Sequence, residues 1–209
     1  MLEELRKEVK KRVIEKRFIH TLGVEEKAVE LGKKYGEDEE KLRVAAILHD
    51  VAKNMKIDEL ERICRENFSS ELTNEDIKIK EILHGFVGAI IAQKEFGIQD
   101  KDILDAIKYH TIGKKDLNRF GRIIYIADAI EKNRDYPGVE ELRKIVDNDL
   151  DYGIIEEIDR KVRYLEKSNG KIHRNTLEMR DELLKNYFGD SRGGIDENRE
   201  RIGKNKRDI

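Results

Sequence analysis

The run Arg43-Val44-Ala45-Ala46-Ile47-Leu48-His49-Asp50-Val51-Ala52-Lys53 decides how this chain is read. Small and aliphatic residues dominate it, and it has the make-up of a buried helix. An imidazole and a carboxylate nevertheless stand side by side within it. Burying that pair costs free energy unless something satisfies both groups, and a metal ion would do so. Adjacent helix residues diverge by about 100°, yet both can reach an ion lying between their directions. A nitrogen donor beside a charged oxygen suits iron, manganese or zinc. Lys53 follows His49 by four residues and Asp50 by three, so a helix continued through Lys53 puts its ammonium on the same face. There it could hold a phosphate oxygen.

Further polar residues occupy apolar or helix-terminal settings on both sides of this run. His20 follows Arg17-Phe18-Ile19. Arg17 and His20 share a helix face, where a guanidinium could bind an anion that a metal also contacts. Asp128 lies inside Ile123-Ile124-Tyr125-Ile126-Ala127-Asp128-Ala129-Ile130, and a lone carboxylate in such a helix needs a cation or several donors. His84, in Ile82-Leu83-His84-Gly85, and His110, in Lys108-Tyr109-His110-Thr111, read as residues at helix ends. They either ligate a second ion, contact a substrate phosphate or satisfy backbone carbonyls. His173 sits in a basic loop, Lys171 to Thr176, leading into a helix whose first amides suit an anion. Arg134 stands in the turn before Pro137-Gly138. Taken singly, each of these residues also has an ordinary packing or surface role open to it. Glu81 and His84 make one Glu-x-x-His pair, whereas ferritin-like di-iron bundles need two. No phosphate-binding glycine loop, dinucleotide glycine fingerprint or Cys-x-x-Cys pair occurs.

Composition sets the frame. The 209 residues suffice for one domain over residues 1–188, followed by a tail over 189–209. Fifteen of those last 21 positions are charged or glycine, so the tail is expected to be disordered. With 42% charged and 38% hydrophobic residues and a single proline, the chain reads as all-α. A net charge of −2 argues against a chain-wide attraction to nucleic acid or anionic membrane. Cys64 is the sole cysteine, so no intrachain disulfide can form. The first residues lack an apolar signal core, and a cytoplasmic location is the expectation. Periodicity predicts helices over 2–14, 17–35, 37–53, 57–66, 75–96, 101–110, 117–132, 139–146, 152–166 and 175–188. The fourth has Asp58 as a candidate cap, and the fifth a break near His84-Gly85.

The ordered set His20, His49-Asp50, His84, His110, Asp128 resembles the HD-domain metallophosphohydrolase superfamily. Longer strings narrow this: Arg17-Phe18-Ile19-His20-Thr21-Leu22-Gly23-Val24, Leu48-His49-Asp50-Val51-Ala52-Lys53 and Leu83-His84-Gly85-Phe86-Val87-Gly88-Ala89. Ala106 to Gly113, Ile124 to Asp128 and Arg134 to Val139 complete them. Together they resemble the YqeK family of bacterial symmetrical dinucleoside-tetraphosphate hydrolases over about residues 14–188. The resemblance implies an HD-domain helical bundle with a metal site between helices. It implies cleavage of diadenosine tetraphosphate to two ADP. Iron is the implied metal, as one or two ions, with manganese or another divalent transition metal as the substitute. The implied ligands are His20, His49, Asp50 and Asp128, with His84 and His110 available to a second ion. Catalytic roles would fall to Asp50, Lys53, His84 and His110. Substrate contacts would fall to Arg17, His20, Lys53, His84, His110, Arg134, Lys171, His173 and Thr176. The partner is then a small dinucleoside polyphosphate, with neither nucleic acid nor membrane involved, and a homodimer is compatible. The nearest competitor is an HD-type nucleotidase or guanosine polyphosphate hydrolase. A competitor of another class is a metal-binding interaction protein.

Overall fold

A computed structural model describes residues 2–167 and 170–189. Its helices are α1 (Leu2–Arg12), α2 (Glu15–Tyr35), α3 (Glu39–Leu48), α4 (Ile57–Asn67), α5 (Lys80–Lys94), α6 (Lys101–Tyr109), α7 (Arg119–Ile130), α8 (Val139–Asn148), α9 (Leu150–Lys167) and α10 (Arg174–Phe188). One 3₁₀ turn, Asp76–Lys78, precedes α5. No strand occurs among the described residues, so the fold is the expected all-α one. The charged tail beyond Gly189 lies outside the described residues. None of the described helices is long and apolar enough to cross a membrane.

Burial follows the sequence pattern. α3, α5 and α7 carry long apolar runs and form the centre, with Ile47, Leu48, Leu83, Phe86, Ile123, Ile124 and Ile126 almost wholly removed from water. α4 and α8 bury single stripes, led by Leu60 and Cys64 on α4 and by Leu142 and Val146 on α8. α2 packs on α3 and α7, α6 on α5 and α7, and α10 on α9. At the crossing of α5 and α6, Gly85 allows close approach: a Cβ there would lie 2.7 Å from the Lys108 carbonyl oxygen. This crossing sets His84 of α5 beside His110 at the end of α6.

Three local expectations are corrected. α3 ends at Leu48, so His49 and Asp50 do not lie within a helix but open the turn that follows it. Lys53 therefore shares no helix face with them. It returns to the pair through the turn, its amide donating to the Asp50 carbonyl at 2.9 Å. α5 runs unbroken through His84-Gly85, and the discontinuity falls earlier, at Ile79, between the 3₁₀ turn and α5. Asp58 is no cap: Lys56 holds that position without a side-chain bond, and Asp58 lies in the first turn.

Cys64 is buried on α4, and burial pushes its thiol up to about 12. The native protein should resist thiol-directed alkylation, since thiolate is the reactive form. Labelling should become stoichiometric only in denaturant, as followed by intact mass.

Candidate active site

Two helix C-termini point at one small volume. His49 caps α3 and His110 caps α6. Each ring turns back so that Nδ1 meets a carbonyl of its own last turn, Ala46 O at 2.6 Å and Ile107 O at 2.8 Å. The negative ends of both helix dipoles thus face a shared centre, which favours a cation there. His20 enters from the second turn of α2, His84 from the second turn of α5, and Asp128 from the last turn of α7.

The protonation pattern of the imidazoles follows from their outer partners. His84 Nδ1 meets Lys80 O at 3.2 Å, and His20 Nδ1 meets the Glu131 carboxylate at 3.1 Å. A carbonyl or carboxylate accepts, so each ring donates from Nδ1 and turns Nε2 inward, as a lone pair when the ring is neutral and as a second N–H when it is protonated. With neutral rings, acceptors face acceptors inside. His20 Nε2 lies 2.9 Å from Asp128 Oδ1, His49 Nε2 lies 3.3 Å from Asp50 Oδ2, and His84 Nε2 lies 3.0 Å from His110 Nε2. The Nε2 atoms of His20 and His49 and Oδ1 of Asp50 are buried with no hydrogen bond of sound geometry. Such an array is repulsive unless a cation or proton lies among its members.

Two overlapping sets therefore fit a metal ion: His20, His49 and Asp128, and His49, Asp50 and His110. In each, the ligand atoms lie within 4.8 Å of one another. Nitrogen plus carboxylate oxygen is a donor set for a divalent transition metal. His49 and His84 have no exposed surface, and Asp50 and His110 are 2% exposed. Burial opposes ionisation of Asp50, but the neighbouring His49 and the His110 and His84 rings outweigh it and hold the carboxyl well below its ordinary range. Burial opposes ionisation of Asp128 too; His20 and the Arg134 guanidinium win there. Burial, aided by His84 and His49, pulls His110 down to about 4, leaving a neutral ring suited to ligation.

Cations surround this centre. Arg17 Nη1 donates to Asp50 Oδ2 at 2.9 Å, and Lys53 Nζ stands 3.4 Å from His84 Nε2. Arg134 grips Asp128 twice, through Nη2 to Oδ1 at 2.6 Å and Nε to the backbone carbonyl at 2.8 Å. The structure thus gathers nine of the sequence-derived residues: Arg17, His20, His49, Asp50, Lys53, His84, His110, Asp128 and Arg134. The other three lie at the start of α10 and in the loop before it. Lys171 pairs with Glu75, and His173 caps α10 with its Nε2 3.6 Å from Asp76. Thr176 is buried and donates to Ile112 O at 2.8 Å, so α10 begins on the loop just past His110.

Glu131 escaped the sequence reading. It is 1% exposed and closes α7 directly after the apolar run. One carboxylate oxygen accepts from His20 Nδ1, and the other accepts from the Asn133 amide at 2.6 Å and side chain at 2.9 Å. Gly23, three residues after His20, makes room: a Cβ there would fall onto the Glu131 carboxylate. The available signal was a pair of spacings, Asp128-x-x-Glu131 and His20-x-x-Gly23. A carboxylate behind a ligating histidine fixes its tautomer and raises its basicity. Glu131→Ala should weaken metal binding by about 10–100-fold, and Gly23→Ala should act in the same direction. Titration with a chelator-buffered metal series would measure both.

This fold and this centre define an HD-domain protein: the family described as HD domain matches residues 17–133. The symmetrical bis(5'-nucleosyl)-tetraphosphatase of Bacillus subtilis is 41% identical over 81% of this chain and 90% of its own length. That of Halalkalibacterium halodurans is 39% identical over 84% of this chain and 93% of its own length. A solved structure from Clostridium acetobutylicum, described as a predicted HD superfamily hydrolase involved in NAD metabolism, shares 38% identity. It superposes with a TM-score of 0.85 over 89% of this chain and 98% of its own. The chain belongs to the HD-domain family and, within it, to the YqeK-like branch of symmetrical bis(5'-nucleosyl)-tetraphosphatases.

Proposed function

We propose that this protein is a metal-dependent hydrolase that cleaves diadenosine tetraphosphate symmetrically to two ADP. The observation that carries this is the inward-facing set of imidazole and carboxylate lone pairs ringed by Arg17, Lys53 and Arg134. Lone pairs bind the metal, and the three cations suit a chain of anionic phosphates. The names of the relatives supply the substrate. Iron is the proposed metal, held by His20, His49, Asp50 and Asp128, with His84 and His110 available to a second ion. When bound, it supplies a Lewis acid and a water of lowered pKa.

The protein's own groups do the rest. Arg17 and Arg134 neutralise phosphoryl oxygens at the edge of the centre. Lys53 meets the oxygens opposite and offsets charge that builds as the bond breaks. Water adds its hydroxyl to an inner phosphorus, the bond from that phosphorus to the oxygen bridging the inner phosphates breaks, the second ADP leaves with that oxygen, and the remaining proton of the water passes to solvent. Lys171, His173 and Thr176 contribute from the α10 end by contacting the substrate outside the reacting phosphates.

Product analysis in oxygen-18 water tests this reading. The metal-loaded protein should give ADP as the only nucleotide product, with one label per substrate consumed. AMP plus ATP would show asymmetric cleavage. No turnover, alongside rapid dephosphorylation of nucleoside monophosphates, would favour the nucleotidase.

A further inference from the structure

The four imidazoles stand in a row, His20 to His49 to His110 to His84, with ring centroids 5.5, 5.0 and 4.8 Å apart. The two ends of the row differ. At the His84 end the rings are sealed from water, and the start of α10 is anchored beside them through Thr176. At the His20 end the wall opens, with the Asp128, Arg17 and Arg134 side chains 23%, 27% and 34% exposed. A cavity of about 340 Å³ begins there, within the range of small-molecule sites. Its lining includes Arg17, His20 and Arg134 together with Ile14, Ile19 and Asn133.

The two isoleucines do little for the fold. Ile14 is 61% exposed and Ile19 47%. Ile14 also occupies the N-cap of α2, where its side chain makes no capping bond. Serine, aspartate or asparagine would stabilise the helix better at that position. An aliphatic wall beside two guanidinium groups matches a ligand with an apolar ring system at one end and phosphates at the other.

We propose that this cavity is the subsite for the nucleoside of one half of the substrate. The base lies against Ile14 and Ile19, and its phosphates pass between Arg17 and Arg134 toward the row of imidazoles. This inference rests on the hydrolase reading above.

The test uses the metal-loaded, full-length protein and two probes. Photolabelling with 8-azido-ADP should mark residues 13–27, and Ile14→Ser/Ile19→Ser should lose that label. In the same double variant, KM for diadenosine tetraphosphate should rise about tenfold, the value of a lost aliphatic contact in a pocket. Its kcat and its inhibition by inorganic tripolyphosphate should stay unchanged. Label found only outside residues 13–27, an unchanged KM, or equal weakening of tripolyphosphate would each overturn the subsite. Failure of the wild type to release ADP from diadenosine tetraphosphate would instead overturn the hydrolase reading, and the photolabel would still report on the cavity.

Discussion

Asp50→Ala should empty the metal centre and reduce turnover by on the order of 10³-fold or more, because the ion supplies several kcal/mol of transition-state stabilisation. Asp50 is the group on which both ends of the site converge. Its Oδ2 lies 2.9 Å from Arg17, 3.3 Å from His49 and 3.8 Å from His20, while Oδ1 lies 3.0 Å from His84 and 3.7 Å from His110. The stability signature separates loss of metal from loss of fold. In the metal-free wild type this carboxylate is a buried charge with an orphaned oxygen, so removing it relieves a cost as well as losing the Arg17 pair. The metal-free variant should therefore melt close to the metal-free wild type. Metal at about 100 times its Kd should stabilise the wild type by about 2.7 kcal/mol, roughly 5–11 °C for a chain of this size. The variant should show none of that rise. Full metal content in the variant by elemental analysis would displace Asp50 from the ligand set.

What the sequence made legible, and what it hid, follows from the range of the interactions. The all-α class, most helix spans and the convergence of His20, His49, Asp50, His84, His110 and Asp128 were readable, because a polar residue in an apolar run requires a partner wherever it occurs. The place of the His49-Asp50 pair was not. Val51 and Ala52 continue the apolar pattern, but they are buried in a turn against the core rather than in α3. Periodicity cannot tell a buried turn from one more helical turn. Glu131 was hidden for the opposite reason. At a helix end followed by Lys132-Asn133-Arg134 it reads as a surface charge, and only the packing of α2 on α7 shows it behind His20. For Arg134 the resemblance implies a substrate contact and says nothing of a partner within the chain. The guanidinium is in fact bound to Asp128 through both side chain and backbone, so its removal should disturb metal ligation as well as substrate binding.

Arg17→Ala and Lys53→Ala should separate substrate binding from metal binding. Both side chains are cations pressed against groups that would ligate the ion, Arg17 on Asp50 Oδ2 and Lys53 beside His84 Nε2. A cation there competes with the metal for those lone pairs and repels it. Removing either one should leave metal affinity unchanged or raise it, the opposite of the effect expected for a ligand or for Glu131. The substrate sees the same charges with the reverse sign: its phosphates carry the anionic oxygens that these groups neutralise. Loss of a charge-assisted contact to the transferring phosphoryl group should cost about 1.5–4 kcal/mol in kcat/KM, roughly 10- to 10³-fold. Arg17→Lys should recover only part of the loss, since an ammonium keeps the charge but cannot reproduce the planar fork that spans Asp50 and a phosphate. Metal titration and steady-state kinetics on the same preparations decide the matter. If metal affinity falls in step with activity in both variants, these residues build the metal centre and do not serve the substrate.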